Sequence, residues 1–207
     1  MDRQYLYGRL DQVASDPFDQ FDIWFNQACM DMPLKLVNSM VLATTSNNFP
    51  SARVVLLKEY SPEGLVFYTN YLSRKGCEIS ENPNVSLLFW WEAHERQVRI
   101  EGIAEKISHE RSEAYFHTRP KFSQIAAMAS KQSKPLENLQ DFQSDYQTLL
   151  EQYASAEISL PCPENWGGYL IKPKLFEFWQ GRENRLHDRF QFKLDTDGNW
   201  KISRLYP

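Results

Sequence analysis

Glycine and cysteine are scarce in this sequence, and their scarcity excludes several classes of protein. The 207 residues include 8 Gly, and neither a GxGxxG segment, a Walker loop nor a GxSxG elbow is present. The three Cys are odd in number and lack CxxC spacing, and the His residues lack the HExxH spacing of zinc enzymes. We therefore expect reduced thiols and no metal site, and we exclude the common dinucleotide, kinase and serine-hydrolase motifs.

The sequence also lacks a net positive charge and long apolar runs. The net charge is -4 and the sequence pI is about 5.6, which predicts no nucleic-acid partner. The longest apolar stretch, residues 85–91, is far shorter than the roughly 20 residues of a membrane span, and the N-terminus lacks the apolar core of a signal peptide. We expect a cytoplasmic protein with no membrane partner.

Length and patterning predict one domain, residues 1–207, with residues 1–15 as an N-terminal segment. A helix is expected after Asp16-Pro17, a short one at Ser73, and a helical stretch over 108–154 broken at Pro120 and Pro135. Strands are predicted at 40–45, 52–59, 65–70, 85–91, 97–107, 168–171, 175–180, 188–194 and 200–205. Short strands joined by tight turns favour an antiparallel barrel, so the predicted class is mainly β with peripheral helices (α+β).

The segment Ser73-Arg74-Lys75-Gly76 is the first candidate anion site. Ser73 is a good helix N-cap, but Arg74 and Lys75 in a first turn oppose the helix dipole. A bound phosphate over the free N–H groups would explain both cations. A solvated basic turn explains them equally well.

Two further segments place cations where an anion could bind. Arg53 and Lys58 mark the ends of one predicted strand, and simple alternation puts them on opposite faces. Tyr115 and Arg119 share one helix face, and Ser123 is placed to cap the following helix. Solvent-exposed charges at strand and helix ends are the alternative interpretation of each.

The most unusual cluster is Arg185-Leu186-His187-Asp188-Arg189. If the segment is extended, Arg185, His187 and Arg189 share one face. Three cationic or titratable groups on one strand face repel each other unless an anion lies opposite that face. A redox centre that gains negative charge would serve equally well. We therefore favour a functional role over a plain surface loop.

Taken together, these segments resemble the pyridoxine/pyridoxamine 5'-phosphate oxidase family of FMN-binding split-barrel proteins. The matching pieces, in family order, are residues 53–58, 67–70, 73–75, 95–98, 115–120, 123–125, 130–133, 166–168, 178–181, 185–189 and 204–207. The resemblance implies an antiparallel split β-barrel, and a homodimer with FMN at the subunit interface. It also implies oxidation of pyridoxine or pyridoxamine 5'-phosphate to pyridoxal 5'-phosphate, with O2 reduced to H2O2.

The resemblance assigns residues to three roles. FMN contacts would be Arg53, Val54, Val55, Leu56, Leu57, Lys58, Tyr68, Thr69, Arg74, Lys75, Gln97, Gln132, Ser133, Trp179 and Arg189. Substrate contacts would be Lys58, Tyr115, Arg119, Ser123, Arg185, Leu186 and His187. Of these, Arg185 and His187 would be catalytic, because they would lie over the pyridine ring.

The N-terminus departs from the family pattern, and two other functions remain open. The family's basic, active-site-closing segment corresponds at best to residues 2–5, which include Arg3 and Tyr5. A related flavin oxidase acting on another ring, such as a phenazine precursor, would share the barrel and the FMN site. A non-catalytic carrier of FMN or pyridoxal phosphate would bind ligand without forming peroxide.

Overall fold

The computed structural model describes residues 8–153 and 159–207, so the segment containing Arg3 and Tyr5 lies outside the described residues. The helices are α1 (Pro17–Asp31), α2 (Leu34–Val37), α3 (Arg74–Glu81), α4 (His109–Thr118), α5 (Lys121–Ala129) and α6 (Leu139–Gln152). The strands are β1 (Ser39–Ser46), β2 (Phe49–Leu56), β3 (Glu59–Ser61), β4 (Gly64–Asn70), β5 (Asn84–Trp91), β6 (Arg96–Lys106), β7 (Trp166–Gln180), β8 (Asp188–Leu194) and β9 (Trp200–Leu205).

The strands form one antiparallel sheet in the order β2-β1-β5-β6-β7-β4-β3, with β8 on β7 and β9 on β8. The long strand β7 pairs with β6 along one edge, and with β4 and then β8 along the other. The predicted mainly β class with peripheral helices is confirmed. Among the described residues, no helix is long and apolar enough to cross a bilayer.

Three predicted boundaries are wrong. Strand β7 is continuous where two strands were expected, because a β-bulge next to Pro173 accommodates the interruption: Glu101 pairs with Leu175 and Gly102 with Pro173, so Lys174 is an extra residue in β7. The predicted strand 52–59 ends at Leu56, and Glu59 begins the separate strand β3. Helix α5 begins at Lys121 after Pro120, so Ser123 lies in its first turn instead of capping it.

Two hydrophobic clusters hold the fold together. In the main core, helix α1 packs on the barrel through Phe21, whose ring is 5.2 Å from that of Phe89, and Trp24, 5.3 Å from Phe178. A smaller cluster lies beneath α4, α5 and α6 and includes Phe116, Ile125, Leu160, Cys162 and Trp166. This second cluster supports one wall of a cavity of about 710 Å³.

Candidate active site

A cavity of about 710 Å³, the main cavity, lies between β2, β4, the start of α3 and the helices α4 to α6. Its lining residues are Val54, Val55, Leu56, Lys58, Tyr68, Thr69, Asn70, Lys75, Tyr115, Arg119, Pro120, Ser123, Ala126, Ala127, Ser130, Gln132, Phe142 and Trp166. Three of these residues, Lys58, Lys75 and Arg119, are cationic, and no acidic residue lines the cavity among the described residues. In a chain of net charge -4, this local excess of positive charge is the electrostatic signature of an anion site.

One end of the cavity is built by the start of helix α3. The Ser73 hydroxyl accepts a hydrogen bond from the Gly76 N–H, which confirms the predicted N-cap. A Cβ at Gly76 would lie 2.2 Å from the Tyr71 carbonyl oxygen, so this turn requires glycine. Lys75 Nζ donates to Gln132 Oε1 at 3.0 Å, and Thr69 Oγ1 donates to the same oxygen at 3.2 Å.

The pKa of Lys75 is lowered, first by burial and then by repulsion from Arg53. An anion at this end of the cavity would relieve both effects, because it would restore a charged partner to a desolvated ammonium. The helix N-terminus adds a partial positive charge of its own.

The opposite wall is aromatic. Tyr68 and Tyr115 stack with ring centroids 3.9 Å apart, and Trp166 lies nearly parallel to Tyr115 at 6.3 Å. The Arg119 guanidinium carbon lies 4.7 Å from the centroid of the Trp166 ring. Flat, parallel rings beside a cation suit a planar, negatively charged ligand.

Arg119 is the most exceptional group in the cavity. Its Nη1 atom is buried and forms no hydrogen bond within the part of the chain that the structure describes. Burial lowers the pKa of its guanidinium. A buried donor without a partner is costly and rare in native proteins, so the geometry points to an anionic ligand that accepts from it.

Several residues that the resemblance assigned to FMN lie away from this cavity. Arg53 donates to Glu78 at 2.7 Å, and Arg74 donates to the other oxygen of Glu78 at 2.8 Å. Leu57 is buried in the main core, and Ser133 lines a separate cavity that also contains Arg74.

A second group of predicted site residues, the strand group, lies along β6, β7 and β8. It comprises Gln97, Trp179, Arg185, Leu186, His187 and Arg189. Trp179 pairs with Gln97 on one side and with Arg189 on the other, and its ring centroid is 4.5 Å from that of His187. None of the group lines the main cavity, so the predicted site is divided between two places in one chain.

The segment 185–189 is not extended throughout, so the condition for placing Arg185, His187 and Arg189 on one face is not met. Asn184 and Arg185 have positive φ angles of 55° and 60° within a 3-10 turn, and strand β8 begins at Asp188. This turn leaves Arg185 and Leu186 exposed while His187 folds back. The alternation of side chains between the two faces of a strand therefore does not apply to this segment.

His187 is held as a neutral imidazole. Its Nδ1 accepts a hydrogen bond of 3.1 Å from the Arg182 backbone N–H, which leaves Nε2 to carry the proton. Burial lowers the pKa of His187, and the charges of Arg185 and Arg189 lower it further. Arg189 is itself fixed by Glu177, which accepts from its Nη2 at 2.7 Å. The strand group therefore offers one neutral donor among guanidinium groups.

Sequence reasoning gave no role to several residues that the structure places in or beside the site. They are Asn70, Ala126, Ala127, Ser130, Phe142 and Trp166 in the cavity, and Glu78 and Glu177 as partners of predicted arginines. Asn70, Ser130 and Trp166 were within matching motifs, and this was their one signal. The i,i+4 spacing of Arg74 and Glu78 was a local signal for that pair, whereas the pairing of Glu78 with Arg53 and of Glu177 with Arg189 joins residues that are distant in sequence.

The barrel and its cationic cavity have the architecture of the FMN-binding split-barrel proteins. A family model described as pyridoxamine 5'-phosphate oxidase matches residues 27–152, and one described as the pyridoxine 5'-phosphate oxidase C-terminal dimerisation region matches 166–207. The chain belongs to the pyridoxine/pyridoxamine 5'-phosphate oxidase family.

Relatives and a solved structure agree with this assignment. A pyridoxine/pyridoxamine 5'-phosphate oxidase from Idiomarina loihiensis is 47% identical over 210 residues, covering 100% of this chain and 98% of that protein. The chloroplastic pyridoxine/pyridoxamine 5'-phosphate oxidase 1 from Arabidopsis thaliana is 48% identical over 95% of this chain, which spans 38% of that longer protein. The structure of PhzG from Burkholderia lata, in complex with tetrahydrophenazine-1-carboxylic acid, is similar with a TM-score of 0.88 and 26% identity over 98% of both chains.

Proposed function

We propose that this protein oxidises pyridoxine 5'-phosphate or pyridoxamine 5'-phosphate to pyridoxal 5'-phosphate with FMN as cofactor. O2 is reduced to H2O2, and the amine substrate also takes up water and releases ammonia. The observation that carries this proposal is the cavity lined by Lys58, Lys75 and Arg119 without an acidic residue among the described ones. Cofactor and substrate both bear a phosphate, and the cavity has cations at two ends.

The residues present fit FMN at the α3 end. Lys75, Thr69 and Gln132 are already connected by hydrogen bonds at the helix start, where a phosphate is favoured by the N-terminal dipole. Val54, Val55 and Leu56 supply an apolar strand edge beside them. FMN, when bound, accepts a hydride from the substrate and passes the electrons to O2.

The substrate phosphate fits the other end of the cavity. The buried, unbonded Nη1 of Arg119 is a ready donor, and Tyr115 and Ser123 add hydroxyl groups to the same wall. Lys58 lines the same cavity and can serve either phosphate.

The strand group supplies the remaining contacts from the second subunit. Tyr68 pairs with Gly168 and Gln97 pairs with Trp179, so the two groups are 11 residues apart along β7, a path of about 35 Å. One bound flavin would not span that path within a single chain. In a two-fold dimer, the cavity of one protomer faces the strand group of its partner, and residues 166–207, which match the dimerisation region, contain most of the strand group.

In this arrangement the exposed Arg185 orients the substrate and stabilises charge at its C4' substituent. His187 donates from Nε2, since its Nδ1 is occupied by the Arg182 N–H. Arg189, fixed by Glu177, lies near the part of the flavin that becomes negative on reduction.

Mixed dimers test the proposal. Lys75→Ala removes a cavity cation and Arg185→Ala removes a strand-group cation, and we expect each homodimer to be nearly inactive. When the two variants are co-expressed, a two-fold dimer with shared sites restores about a quarter of wild-type turnover, because half of the dimers contain one intact site. Peroxide and pyridoxal 5'-phosphate are followed together. A co-expressed pair that stays inactive would exclude a shared site.

The likeness to PhzG favours one alternative, oxidation of a phenazine-type ring. The carboxylate of such a ring could also accept from Arg119 Nη1, so this atom does not distinguish the two substrates. We place this alternative second because the relatives with 47% and 48% identity are pyridoxine/pyridoxamine 5'-phosphate oxidases. Pyridoxine 5'-phosphate turnover with peroxide formation decides between them. Bound flavin without either product, with both the alcohol and the amine substrate, would favour another ring or a carrier role.

A further inference from the structure

Three arginines that the resemblance assigns to FMN or to the substrate are held in two different ways. Arg53 and Arg74 donate to the carboxylate of Glu78 at 2.7 and 2.8 Å. Arg119 instead lies over the ring of Trp166, with its guanidinium carbon 4.7 Å from the ring centroid. A carboxylate occupies the N–H donors of a guanidinium, whereas an aromatic face contacts its plane and leaves the donors at the edge available.

Trp166 is itself fixed in place. Its side chain is 6% exposed, and its ring packs edge-on against Phe116 with centroids 5.2 Å apart. Its backbone begins β7 opposite Asn70, and a Cβ at the next residue, Gly167, would lie 2.2 Å from the hydroxyl of Tyr71. Gly167 therefore allows the start of β7 to approach Tyr71 closely, and the indole of Trp166 is fixed by its packing against Phe116.

Apart from Trp166, the nearest ring to the Arg119 guanidinium is that of Phe116, whose centroid is farther away, 5.9 Å from the guanidinium carbon. The backbone of Arg119 is held by Gln124, which donates to the Arg119 carbonyl at 2.8 Å, but this contact leaves the side-chain torsions unrestricted. The described residues that line the cavity include no carboxylate that could hold the guanidinium, and Nη1 has no hydrogen bond. An unrestrained arginine loses side-chain entropy when it binds an anion.

We propose that Trp166 is a positioning residue for the phosphate of the substrate. Its ring holds the Arg119 guanidinium by its flat face, so that the donor edge is directed into the cavity before the anion arrives. This proposal rests on the proposed function, because it takes the Arg119 end of the cavity as the substrate-phosphate end. It predicts that loss of the indole weakens binding of the anion without removing any atom that touches it.

The test compares Trp166→Leu and Trp166→Phe in the FMN-loaded enzyme. For the leucine variant we expect KM for pyridoxine 5'-phosphate and the inhibition constant of inorganic phosphate to rise together by about tenfold, as expected for a desolvated cation–π contact. We expect kcat and bound flavin to stay within about twofold. The phenylalanine variant keeps a ring face, so its phosphate affinity should be closer to that of the wild type. We expect its KM and phosphate inhibition constant to rise by about threefold.

Trp200→Leu is the matched control, since Trp200 packs against Phe176 at 5.6 Å in the main core. It should leave KM and phosphate inhibition unchanged. An equal rise in the control, or unchanged phosphate inhibition in Trp166→Leu, would overturn the proposal. If the leucine variant does not fold, an unchanged inhibition constant of phosphate in Trp166→Phe would also overturn the proposal.

Failure of the proposed function gives a different result. Phosphate binding to the FMN-loaded protein can be followed by calorimetry without turnover. A wild-type protein that binds phosphate but does not oxidise pyridoxine 5'-phosphate would contradict the proposed function alone. The comparison of phosphate affinity between Trp166→Leu and wild type would still decide the role of Trp166.

Discussion

Glu78 accepts a hydrogen bond of 2.7 Å from Arg53, and this pair connects helix α3 to strand β2. Thr44 and Ser51 donate to the same carboxylate oxygen at 2.5 and 2.7 Å. Burial alone would raise the pKa of Glu78, but hydrogen bonds from Thr44, Ser51, Arg74 and Arg53 outweigh it and hold the pKa at about 2. The ionised carboxylate thus anchors the helix whose first turn faces the cavity.

Removing this carboxylate should destabilise the fold. We expect Glu78→Ala to lower the free energy of unfolding by about 3 kcal/mol, because it leaves the largely buried Arg53 guanidinium without its charged partner. Urea denaturation measures the change. Glu81→Ala, which removes a bond to Ser46 at the exposed end of the same helix, should cost no more than about 0.5 kcal/mol. Equal losses in the two variants would show that Glu78 has no special role.

The same carboxylate should make stability depend on pH in the acid range. The pKa of Glu78 in the folded protein, about 2, lies below the ordinary value of 4.5. The stabilisation that ionised Glu78 adds to the free energy of unfolding is therefore fully present above about pH 4.5. The contribution is then lost as the pH falls from 4.5 towards 2. Glu78→Gln should flatten the unfolding free energy against pH in this window, and an unchanged slope would contradict the low pKa.

Most of the barrel could be predicted from sequence because each strand carries its own alternation and turn residues. The predicted strands 40–45, 85–91, 188–194 and 200–205 correspond to β1, β5, β8 and β9. The continuity of β7 could not be predicted, because Pro173 interrupts the local pattern and is accommodated by a bulge at Lys174, which the pairing with β6 defines. Local sequence patterns indicate local structure. The continuity of β7 depends instead on its pairing with β6, which lies about 70 residues earlier in the chain.

The candidate site was harder to predict because its partners are distant. Arg53 was expected to contact the flavin, yet its charge is matched by Glu78, 25 residues later on a helix. The positive φ of Asn184 and Arg185 has no glycine to signal it, so an extended segment was the natural expectation.

Flavin retention should distinguish the two cations at the start of α3. Lys75 lines the cavity and is partly desolvated, whereas the Arg74 side chain is 67% exposed and bonded to Glu78. Lys75→Ala should weaken FMN binding by about 10- to 100-fold, the range of a charge-assisted hydrogen bond, and Arg74→Ala by less. Fluorescence titration of the apoprotein with FMN measures both. Equal loss would place Arg74 in direct contact with the cofactor.

Arg119 should affect substrate affinity more than turnover. We expect Arg119→Ala to raise KM for pyridoxine 5'-phosphate by about 10- to 100-fold with kcat little changed, because a phosphate clamp acts equally in the ground and transition states. Pyridoxine, which lacks the phosphate, is the matched substrate, and its KM should not change. A normal KM for the phosphorylated substrate would remove Arg119 from the phosphate site.

Arg185 should control both turnover and the protonation of His187. Burial, then Arg185 and Arg189, lower the pKa of His187, so Arg185→Gln should move that pKa upward towards the ordinary 6.5. Protonation at Nδ1 would end its hydrogen bond from the Arg182 N–H, so the acid limb of the kcat/KM profile should shift to higher pH.

An NMR titration of the His187 ring measures the pKa directly, and the flavin content should stay normal while kcat falls. Lys193→Gln, an exposed cation farther along β8, serves as the control and should leave both the pKa and kcat unchanged. Because the loss of a positive charge beside an imidazole favours its charged form, a pKa that falls in Arg185→Gln would show that Arg185 does not face His187. A fall in flavin content equal to that of Lys75→Ala would instead make Arg185 a cofactor contact, and its assignment to the substrate would then be wrong.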